Sequence, residues 1–474
     1  MDRATVRSRV DDVWEREIVP ALVDYIRIPN VSPAYDAGWA AAGHMDAAVE
    51  LARAWCAARP IEGLTVDLTT LEGRTPLLLC EVPATPGAHP DDTVVLYGHL
   101  DKQPPMHGWR DGLGPWEPVI DDGRLYGRGG ADDGYACFAA LTAIEALRLG
   151  AGRHGRCVLV VECSEESGSP DLPAHLEQLG DRLGTPSLVV CLDSGCADYR
   201  RLWTTTSLRG NLIGTLRVDV LTEGVHSGTA GGVVPSSFRV LRRLLDRIED
   251  PDTGRLLLPE LQVDIPAERR RGIEAAAADL GPELVFPYAG STRSPHEDPV
   301  DMLLAKTWEP SLSITGIDGL PPTSEAGNVL LPFTTATLSL RLPPGVDTDV
   351  AGRALTDALE ADPPHGASVR FEVQDAAPGW DAPPTAPWLA GALDAASRAE
   401  FGGEAAGTMG EGGTIPFMEM LGRRFPEAQF MISGVLGPGS NAHGPNESLH
   451  LETGRRVTAS VAHVLDAHAH RSTT

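Results

Sequence analysis

The sequence VVLYGHLD, residues 94–101, decides the fold of this chain. Apolar and aromatic residues lead into Gly98, His99, Leu100 and Asp101, so a strand carries an imidazole and a carboxylate to its C-terminal end. Alternation along an extended chain puts both side chains on one face. Open α/β sheets bind ligands at the carboxyl ends of their strands. The stretch therefore predicts a sheet strand that ends in polar chemistry, although a solvated aspartate at a capped strand end is an equal alternative.

Strand-like and helical segments alternate on both sides of this stretch. The predicted strands are 66–71, 77–82, 93–99, 156–163 and 187–193, and the predicted helices are 5–27, 43–59, 133–148 and 386–400. Strands and helices alternating at these lengths are typical of a largely parallel sheet covered by helices. The sequence therefore predicts an α/β fold with a mixed, mostly parallel sheet and flanking helices.

The sequence pattern changes after residue 206. Alternating segments such as TATLSLRLPPG, residues 335–345, accompany a helix predicted at 237–248. A chain of 474 residues exceeds one ordinary hydrophobic core, so two domains are expected. We therefore predict a first domain from residues 1–206 and 384–474, and an α+β domain from residues 207–383 inserted into it.

Composition excludes several classes of partner. The formal net charge of -27 at pH 7 repels nucleic acid and anionic membranes. The seven cysteines are odd in number and lack CxxC spacing, which indicates reduced thiols. The chain shows neither an apolar signal-peptide core nor a segment long enough to span a bilayer. We expect a cytoplasmic enzyme that binds neither nucleic acid nor membrane.

Acidic residues follow three further predicted strands or turns. The motifs are LYGRGGADDG (residues 125–134), ECSEESGS (162–169) and CLDSG (191–195). They present Asp132 and Asp133, Glu165 and Glu166, and Asp193. The ordinary alternatives are a helix N-cap for the paired aspartates and a solvated turn for the paired glutamates.

His99 and these carboxylates are spaced about one βα unit apart, so we expect them in one cleft. Packing like charges together costs several kcal/mol unless they are neutralised, and a divalent cation is the simplest remedy. Nitrogen and oxygen ligands suit zinc, manganese or cobalt. More carboxylates than one ion needs indicate two ions that share a ligand. A single calcium site stays open as an alternative, although histidine is not a ligand that calcium prefers.

Three more motifs complete a family resemblance. They are YGHLDKQP (residues 97–104), EGVHSG (223–228) and NAHGPNE (441–447). In their order and spacing, all six motifs resemble those of the M20 metallopeptidase family, from about residue 10 to about residue 465. Within the family, the chain resembles the dipeptidase branch most. The resemblance implies a zinc-peptidase-like catalytic domain and an inserted lid that also dimerises, and hence a homodimer.

The resemblance also implies the ligands of two divalent metal ions, zinc in the first place and manganese or cobalt as alternatives. One ion would be held by His99 and Asp193 and the other by Glu166 and His443, with Asp132 bridging both. Family members often have a cis peptide bond directly after the bridging aspartate. The resemblance thus implies a cis bond between Asp132 and Asp133.

The catalytic roles follow from the same resemblance. Glu165 would be the general base, taking a proton from the attacking water and returning it to the leaving amine. Asp101 would orient His99 through the second ring nitrogen. His226 would reach the active site of the partner subunit and stabilise the oxyanion, whereas a histidine in a glycine-rich turn is otherwise a surface residue.

Substrate contacts are implied in the inserted domain and after it. Arg341 would clamp a substrate carboxylate, a task that suits the guanidinium fork, although its strand alternation alone predicts a solvated residue. Asn328 would help the lid close, and Gly413 and Thr414 would contact the substrate. The chain departs from the pattern at Gly410, where dipeptidase-like members commonly carry arginine.

The terminal helix carries three further histidines, His463, His468 and His470. We expect them at the surface. We predict no role in metal binding for them.

Together these features predict a dinuclear metal-dependent hydrolase that cleaves the amide bond of dipeptides or short peptides bearing a free carboxylate. An N-acyl-amino-acid deacylase or a pathway-specific amidase of the same family is the first alternative. A non-catalytic binding module is the second. It is disfavoured because the chain retains Glu165, Asp101 and all five implied ligands.

Overall fold

The computed structural model of the protein describes residues 1–89, 92–280, 286 and 288–472. The chain forms two compact units. The first comprises Met1–Thr206, Ala382–Met409 and Ile415–Thr474, and the second comprises Ser207–Asp381 and Gly410–Thr414. The short segment Gly410–Thr414 thus belongs to the second unit, which the predicted boundaries did not anticipate.

The helices and strands are numbered in chain order. The helices are α1 Arg3–Val13, α2 Val19–Ile26, α3 Trp39–Ala42, α4 His44–Ala57, α5 Tyr135–Leu149, α6 Leu172–Leu179, α7 Ser227–Ala230, α8 Ser237–Leu245, α9 Ala267–Leu280, α10 Pro299–Thr307, α11 Thr348–Glu360, α12 Pro387–Glu400, α13 Pro416–Arg424 and α14 Leu451–His470. The strands are β1 Thr65–Thr69, β2 Leu77–Val82, β3 Thr93–His99, β4 Val119–Asp121, β5 Arg124–Tyr126, β6 Arg156–Glu162, β7 Pro186–Cys191, β8 Trp203–Leu208, β9 Gly210–Asp219, β10 Val225–His226, β11 Ser311–Asp318, β12 Val329–Leu330, β13 Phe333–Leu342, β14 Ser368–Ala377, β15 Trp380–Asp381, β16 Gly407–Glu411, β17 Gln429–Ile432 and β18 Ser448–His450.

The first unit is built on a six-stranded sheet of order β1-β2-β6-β3-β7-β17. Strand β3 pairs in parallel with β6 and with β7, and β17 pairs in parallel with β7. Strands β2 and β1 extend the other side in antiparallel pairs. The predicted mixed, mostly parallel sheet is confirmed.

Strand β3 is buried along its whole length because helices cover the sheet. Helix α5 is buried from Tyr135 to Leu147, as expected for a run made mostly of small and apolar residues. The predicted opening helix is α1 and α2 joined by a π-helical turn, Trp14–Ile18. Its apolar side joins the core of the unit, where the Trp14 indole donates a hydrogen bond to the Thr458 hydroxyl at 2.9 Å.

Helix α14 corrects the prediction of surface histidines. His463 is buried and lies 2.9 Å from a Glu400 carboxylate oxygen. His468 is also buried, with Nε2 2.8 Å from the Ser187 hydroxyl. Only His470 is exposed among the three. The prediction was wrong for two of them because polar partners on distant elements allow these imidazoles to be buried.

The second unit contains a four-stranded antiparallel sheet of order β11-β13-β9-β14. Buried and half-buried residues alternate along β13, as the period of two in its sequence predicts. The buried face packs against α8 and α11 in a separate hydrophobic core. A short antiparallel pair, β10 with β12, forms beside it.

All seven cysteines are buried thiols outside any disulfide, which agrees with the predicted reduced state. Among the residues that the structure describes, no helix has both the length and the apolar character needed to cross a membrane.

Close backbone packing next to the sheet predicts the effect of one substitution. A Cβ atom on Gly434 would lie 1.9 Å from the Ser194 carbonyl oxygen. Gly434→Ala therefore forces the backbone apart, and we expect a loss of about 1–3 kcal/mol in the free energy of unfolding.

The matched control is Gly391→Ala on α12, where the new Cβ would meet no described atom within 4 Å. This change is expected to be neutral or to stabilise by up to about 1 kcal/mol, because alanine favours helices. Thermal unfolding of both variants measures the difference. Equal melting temperatures would refute the packing argument.

Candidate metal centre

Three of the predicted ligands stand at the ends of adjacent parallel strands. His99 is the last residue of β3, Asp193 lies two residues beyond the end of β7, and Glu166 lies in a short 3-10 turn after β6. Parallel neighbours bring their carboxyl ends to the same sheet edge. The fold thus gathers residues that are well separated in the sequence.

Five side chains form two groups that share one aspartate. In the first group, His99 Nε2 lies 3.3 Å from Asp132 Oδ1 and 3.8 Å from Asp193 Oδ1. In the second, His443 Nε2 lies 3.1 Å from Asp132 Oδ2 and 3.2 Å from Glu166 Oε2. The candidate ligand atoms of each group lie within 4.8 Å of one another. Asp132 directs one oxygen to each histidine, which is the arrangement of a bridging carboxylate.

The electrostatics of these groups favour a cation. Burial raises the pKa of Asp193 to about 7, and the neighbouring Asp132 and Glu166 add to this effect. Desolvation lowers the pKa of the buried His99 and of His443, whose side chain is 57% exposed, but the surrounding carboxylates outweigh it and raise both. The carboxylates thus draw positive charge to this edge of the sheet. Divalent ions supply that charge, and the nitrogen and oxygen donors suit transition-metal ions.

The two adjacent glutamates have different surroundings. The Glu166 carboxylate accepts a hydrogen bond from the Gln103 amide at 2.5 Å and also faces His443. The Glu165 carboxylate makes no hydrogen bond or ion pair with any described residue. Its pKa is raised well above the ordinary range by burial and by Asp193. One glutamate is therefore held, and the other is free to exchange a proton.

Asp101 organises both His99 and the glutamate turn. Its buried carboxylate accepts hydrogen bonds from the backbone N–H groups of Glu165 at 3.1 Å and Glu166 at 2.9 Å, and from the Ser32 hydroxyl at 2.6 Å. The Nδ1 atom of His99 lies 3.4 Å from this carboxylate and 3.1 Å from the Asp101 carbonyl oxygen. The nearer acceptor for the ring is thus the main chain, and the carboxylate mainly fixes the turn.

The segment before α5 carries the shared ligand. The peptide bond between Asp132 and Asp133 is cis, as the resemblance implies. The Asp133 carboxylate accepts a hydrogen bond from the His99 backbone N–H at 3.3 Å.

Sequence reasoning missed two buried charges next to these ligands. Arg128 and Glu447 form an ion pair of 2.7 Å between Nη1 and Oε2, with both side chains buried. Both residues lie inside motifs quoted above, LYGRGGADDG and NAHGPNE. The motifs were therefore a signal, but a charge within a motif does not identify a partner 319 residues away.

The second unit holds the predicted substrate-binding residues. Arg341 is half-buried on β13, between Ser311 and Asn211 in the register of the sheet. Its guanidinium makes no hydrogen bond or ion pair with any residue that the structure describes. Burial lowers the pKa of this group. A half-buried cation without an acceptor is able to bind an anion.

Gly410 lies in a tightly packed position of the same unit. A Cβ atom there would lie 2.6 Å from the Ser207 hydroxyl oxygen and 2.9 Å from the Thr307 Cβ. This packing leaves no room for a larger residue such as arginine. A buried guanidinium, that of Arg209, lies beside the segment instead and donates to the Gly412 carbonyl at 3.4 Å. It was not anticipated from the sequence.

The other residues predicted to contact the substrate or the partner subunit lie at or near the surface of the second unit. The Thr414 hydroxyl donates a hydrogen bond to the Arg209 carbonyl at 2.5 Å, and Gly413 is exposed. His226 and Asn328 are also exposed. They are brought together by the β10–β12 pair and by a 2.9 Å bond from the Ser227 N–H to the Asn328 carbonyl.

The first unit is an α/β domain, and one edge of its sheet carries two histidine–carboxylate groups that share one aspartate. This combination is typical of dinuclear metallohydrolases. The model of peptidase family M20/M25/M40 matches residues 95–467. The chain therefore belongs to this family, and the predicted family is confirmed.

Several curated relatives are dipeptidases. The chain is 28% identical to a cysteinylglycine-S-conjugate dipeptidase of Corynebacterium striatum over 86% of its length and 87% of that protein. It is 30% identical to the human Beta-Ala-His dipeptidase over 60% of its length and 56% of that protein.

Solved structures share the fold over nearly all of the chain. The dipeptidase Dug1p of Saccharomyces cerevisiae matches with a TM-score of 0.79 at 20% identity, covering 99% of this chain and all of that one. Human carnosine dipeptidase 1 matches with a TM-score of 0.78 at 22% identity and the same coverage.

The hydrogen bonds of Asp101 lead to a prediction. Asp101→Ala removes the acceptor of a buried and a partly buried backbone N–H group and of a buried hydroxyl, and an unsatisfied buried donor costs about 1–3 kcal/mol. We expect the metal-loaded variant to have a lower melting temperature and at least about tenfold lower kcat.

Asp101→Asn keeps one carboxamide oxygen as an acceptor and is expected to lose less stability. Thermal unfolding and steady-state kinetics of both variants measure these effects. A wild-type melting temperature and kcat in Asp101→Ala would contradict the role of this carboxylate.

Proposed function

We propose that this protein is a metallodipeptidase that uses two divalent ions, most simply zinc, to hydrolyse the amide bond of substrates with a free carboxylate. The observation that carries the proposal is the pair of ligand groups sharing Asp132, with the free carboxylate of Glu165 beside them. The names of the curated relatives support dipeptides as the substrate class.

In this proposal, His99 and Asp193 would hold one ion, Glu166 and His443 would hold the other, and Asp132 would serve both. The surplus of carboxylate charge and the mixed nitrogen and oxygen donors fit zinc, and they also fit manganese or cobalt. When bound, such ions polarise a carbonyl group and lower the pKa of water.

Glu165 is the proposed general base. Its carboxylate is not committed to another described residue, and its raised pKa suits a group that accepts a proton and then returns it to the leaving amine. The hydrogen bonds of the Glu165 and Glu166 N–H groups to Asp101 support this role because they hold the turn that carries both glutamates.

We assign the substrate carboxylate to Arg341, because its guanidinium is half-buried and has no described partner. Gly413 and Thr414 are proposed to contact the same part of the substrate. Asn328 is proposed to assist closure of the second unit on the substrate. A deacylase of N-acyl amino acids needs the same carboxylate clamp. Its substrates differ from dipeptides only in the group on the acyl side of the scissile amide bond.

The second unit is also the proposed dimerisation unit. Strand β11 lies at an edge of its sheet and exposes Ile314 and Ile317, each 42% exposed. An edge strand with exposed apolar residues favours association with another chain. His226, which is exposed, is proposed to serve the active site of the partner subunit. Cytoplasmic location stays a prediction from composition.

Amine release from a mixed panel of dipeptides and N-acyl amino acids tests this function. The zinc- or manganese-loaded protein is expected to cleave dipeptides, and Glu165→Ala is expected to lose turnover by about 10²–10⁴-fold while retaining its metal. Glu166→Ala serves as the matched control and is expected to lose metal.

Cleavage of N-acyl amino acids alone would identify a deacylase instead. Silence across the whole panel from metal-loaded protein would refute the dipeptidase. Loss of metal in Glu165→Ala, rather than in Glu166→Ala, would show that the two glutamates have the opposite roles.

The clamp makes a separate prediction. Arg341→Ala is expected to raise KM for a dipeptide by about 10–100-fold, because a charge-assisted bidentate contact is lost. KM for the amide-capped form of the same dipeptide should change little. Arg341→Lys keeps the charge without the planar fork, so its KM for the dipeptide is expected to lie between that of the wild-type protein and that of Arg341→Ala. Equal effects of Arg341→Ala on both substrates would exclude the clamp.

A further inference from the structure

The loop that carries His443 has an uncommon backbone conformation. His443 adopts φ 63°, and Asn441 and Asn446 adopt φ 50° and 64°. Side-chain-bearing residues rarely occupy this left-handed region, because Cβ then approaches the backbone. Asparagine and histidine enter this region more readily than most residues, and two hydrogen bonds within the loop stabilise it in part: Asn441 Nδ2 donates to the Pro445 carbonyl at 2.5 Å, and the Gly444 N–H donates to the Asn441 carbonyl at 3.0 Å. Further support comes from outside the loop.

Arg128 supplies that support. Its Nη2 donates hydrogen bonds to the carbonyl oxygens of Gly444 at 2.8 Å and His443 at 3.2 Å. Its Nε donates to the Pro104 carbonyl at 3.2 Å. The side chain is 1% exposed, so water does not compete for these contacts. One guanidinium thus fixes the main chain at a proposed metal ligand.

Glu447 belongs to the His443 loop and stabilises the segment that carries Asp132. Its Oε1 accepts hydrogen bonds from the backbone N–H groups of Gly129 at 2.9 Å, and of Ala131 and Asp132 at 3.3 Å each. Three N–H groups aimed at one oxygen form an anion-binding nest. A carboxylate from the His443 loop therefore fixes the main chain at the shared ligand Asp132.

The two contacts are joined by the ion pair between Arg128 and Glu447. The segment that carries Asp132 contributes the guanidinium and the N–H groups, and the loop that carries His443 contributes the carboxylate and the carbonyl groups. Each segment thus determines the position of the other. Both charges are almost completely buried, so neither is stable in this place without its partner.

We infer that the Arg128–Glu447 pair is a positioning device that sets the distance between Asp132 and His443, and with it the affinity of the ion held by Asp132, Glu166 and His443. This inference rests on the proposed metal centre. Neither residue contacts the reacting atoms in it. The alternative is that the pair contributes only to general stability, as any buried ion pair would.

Zinc affinity and the stability of the metal-free protein separate these readings. Glu447→Gln and Arg128→Met each leave one buried charge unpaired, and both are expected to lower the melting temperature of the metal-free protein. They are also expected to weaken zinc binding about 10–100-fold at the more sensitive of the two sites, as measured by competition with a chromophoric chelator.

The double variant Arg128→Met/Glu447→Gln is the decisive measurement, and it carries the test alone if a single variant fails to fold. It contains no unpaired buried charge, so the melting temperature of the metal-free protein should recover relative to the single variants. Zinc affinity should stay weak, because the bonds from Arg128 to the His443 loop are missing and a neutral amide oxygen replaces the charged acceptor of the three N–H groups. Recovery of zinc affinity together with stability would overturn the inference.

Glu145 offers a matched control, since it is a buried carboxylate that pairs with Arg9 at 2.5 Å, lies 3.6 Å from Arg59 and is not part of the candidate metal centre. Glu145→Gln should lower the melting temperature and leave zinc affinity unchanged. An equal loss of zinc affinity in this variant would assign the effect to general stability and refute the positioning role.

The wild-type protein and His443→Ala tell the two proposals apart. A wild-type chain that binds no zinc, or a His443→Ala variant that binds it normally, would refute the metal centre itself. Wild-type binding of two zinc ions, loss of one in His443→Ala and normal binding in Glu447→Gln would refute the positioning role alone.

Discussion

Repulsion between carboxylates governs the first unit of this protein. The parallel strands β6, β3 and β7 end at one edge of the sheet, and the residues after them place Glu166 and Asp193 close to His99 and Asp132. In such a partly dry site, negative charges are stable only with protons or cations among them. The raised pKa of Asp193 and the raised pKa of His99 both express this requirement. A divalent cation meets it, and the hydrolytic chemistry of the family depends on that cation.

Buried carboxylates near the ligands are also stabilised by hydrogen bonds from the main chain. Asp101 accepts two N–H groups of the glutamate turn, and Glu447 accepts three N–H groups before α5. These contacts hold main chain rather than side chains, so each carboxylate fixes the direction of several residues at once. Within the turn, the Glu166 carboxylate is held by a hydrogen bond from Gln103, whereas the Glu165 carboxylate stays available for proton transfer.

Features encoded by neighbouring residues were predicted correctly, whereas features that depend on distant partners were not. The bounds of β2 and β3 were predicted correctly because a short apolar run between turns is a local signal. The opening helix was predicted as one element, whereas the structure inserts a π-helical turn, Trp14–Ile18. His463 and His468 were expected at the surface, but Glu400 and Ser187 on other elements provide partners that make burial possible.

The sequence by itself determined the residue types at the strand ends, their order and the motifs around them. These were enough for the fold class and the family, and the family resemblance then implied a set of candidate ligands. Only the tertiary structure decided which groups meet. It paired Arg128 with Glu447, gave Asp101 its N–H donors and left Gly410 without space for a side chain. Hydrogen bonding, desolvation and steric fit depend on distances between atoms that are far apart along the chain, and no local pattern encodes those distances.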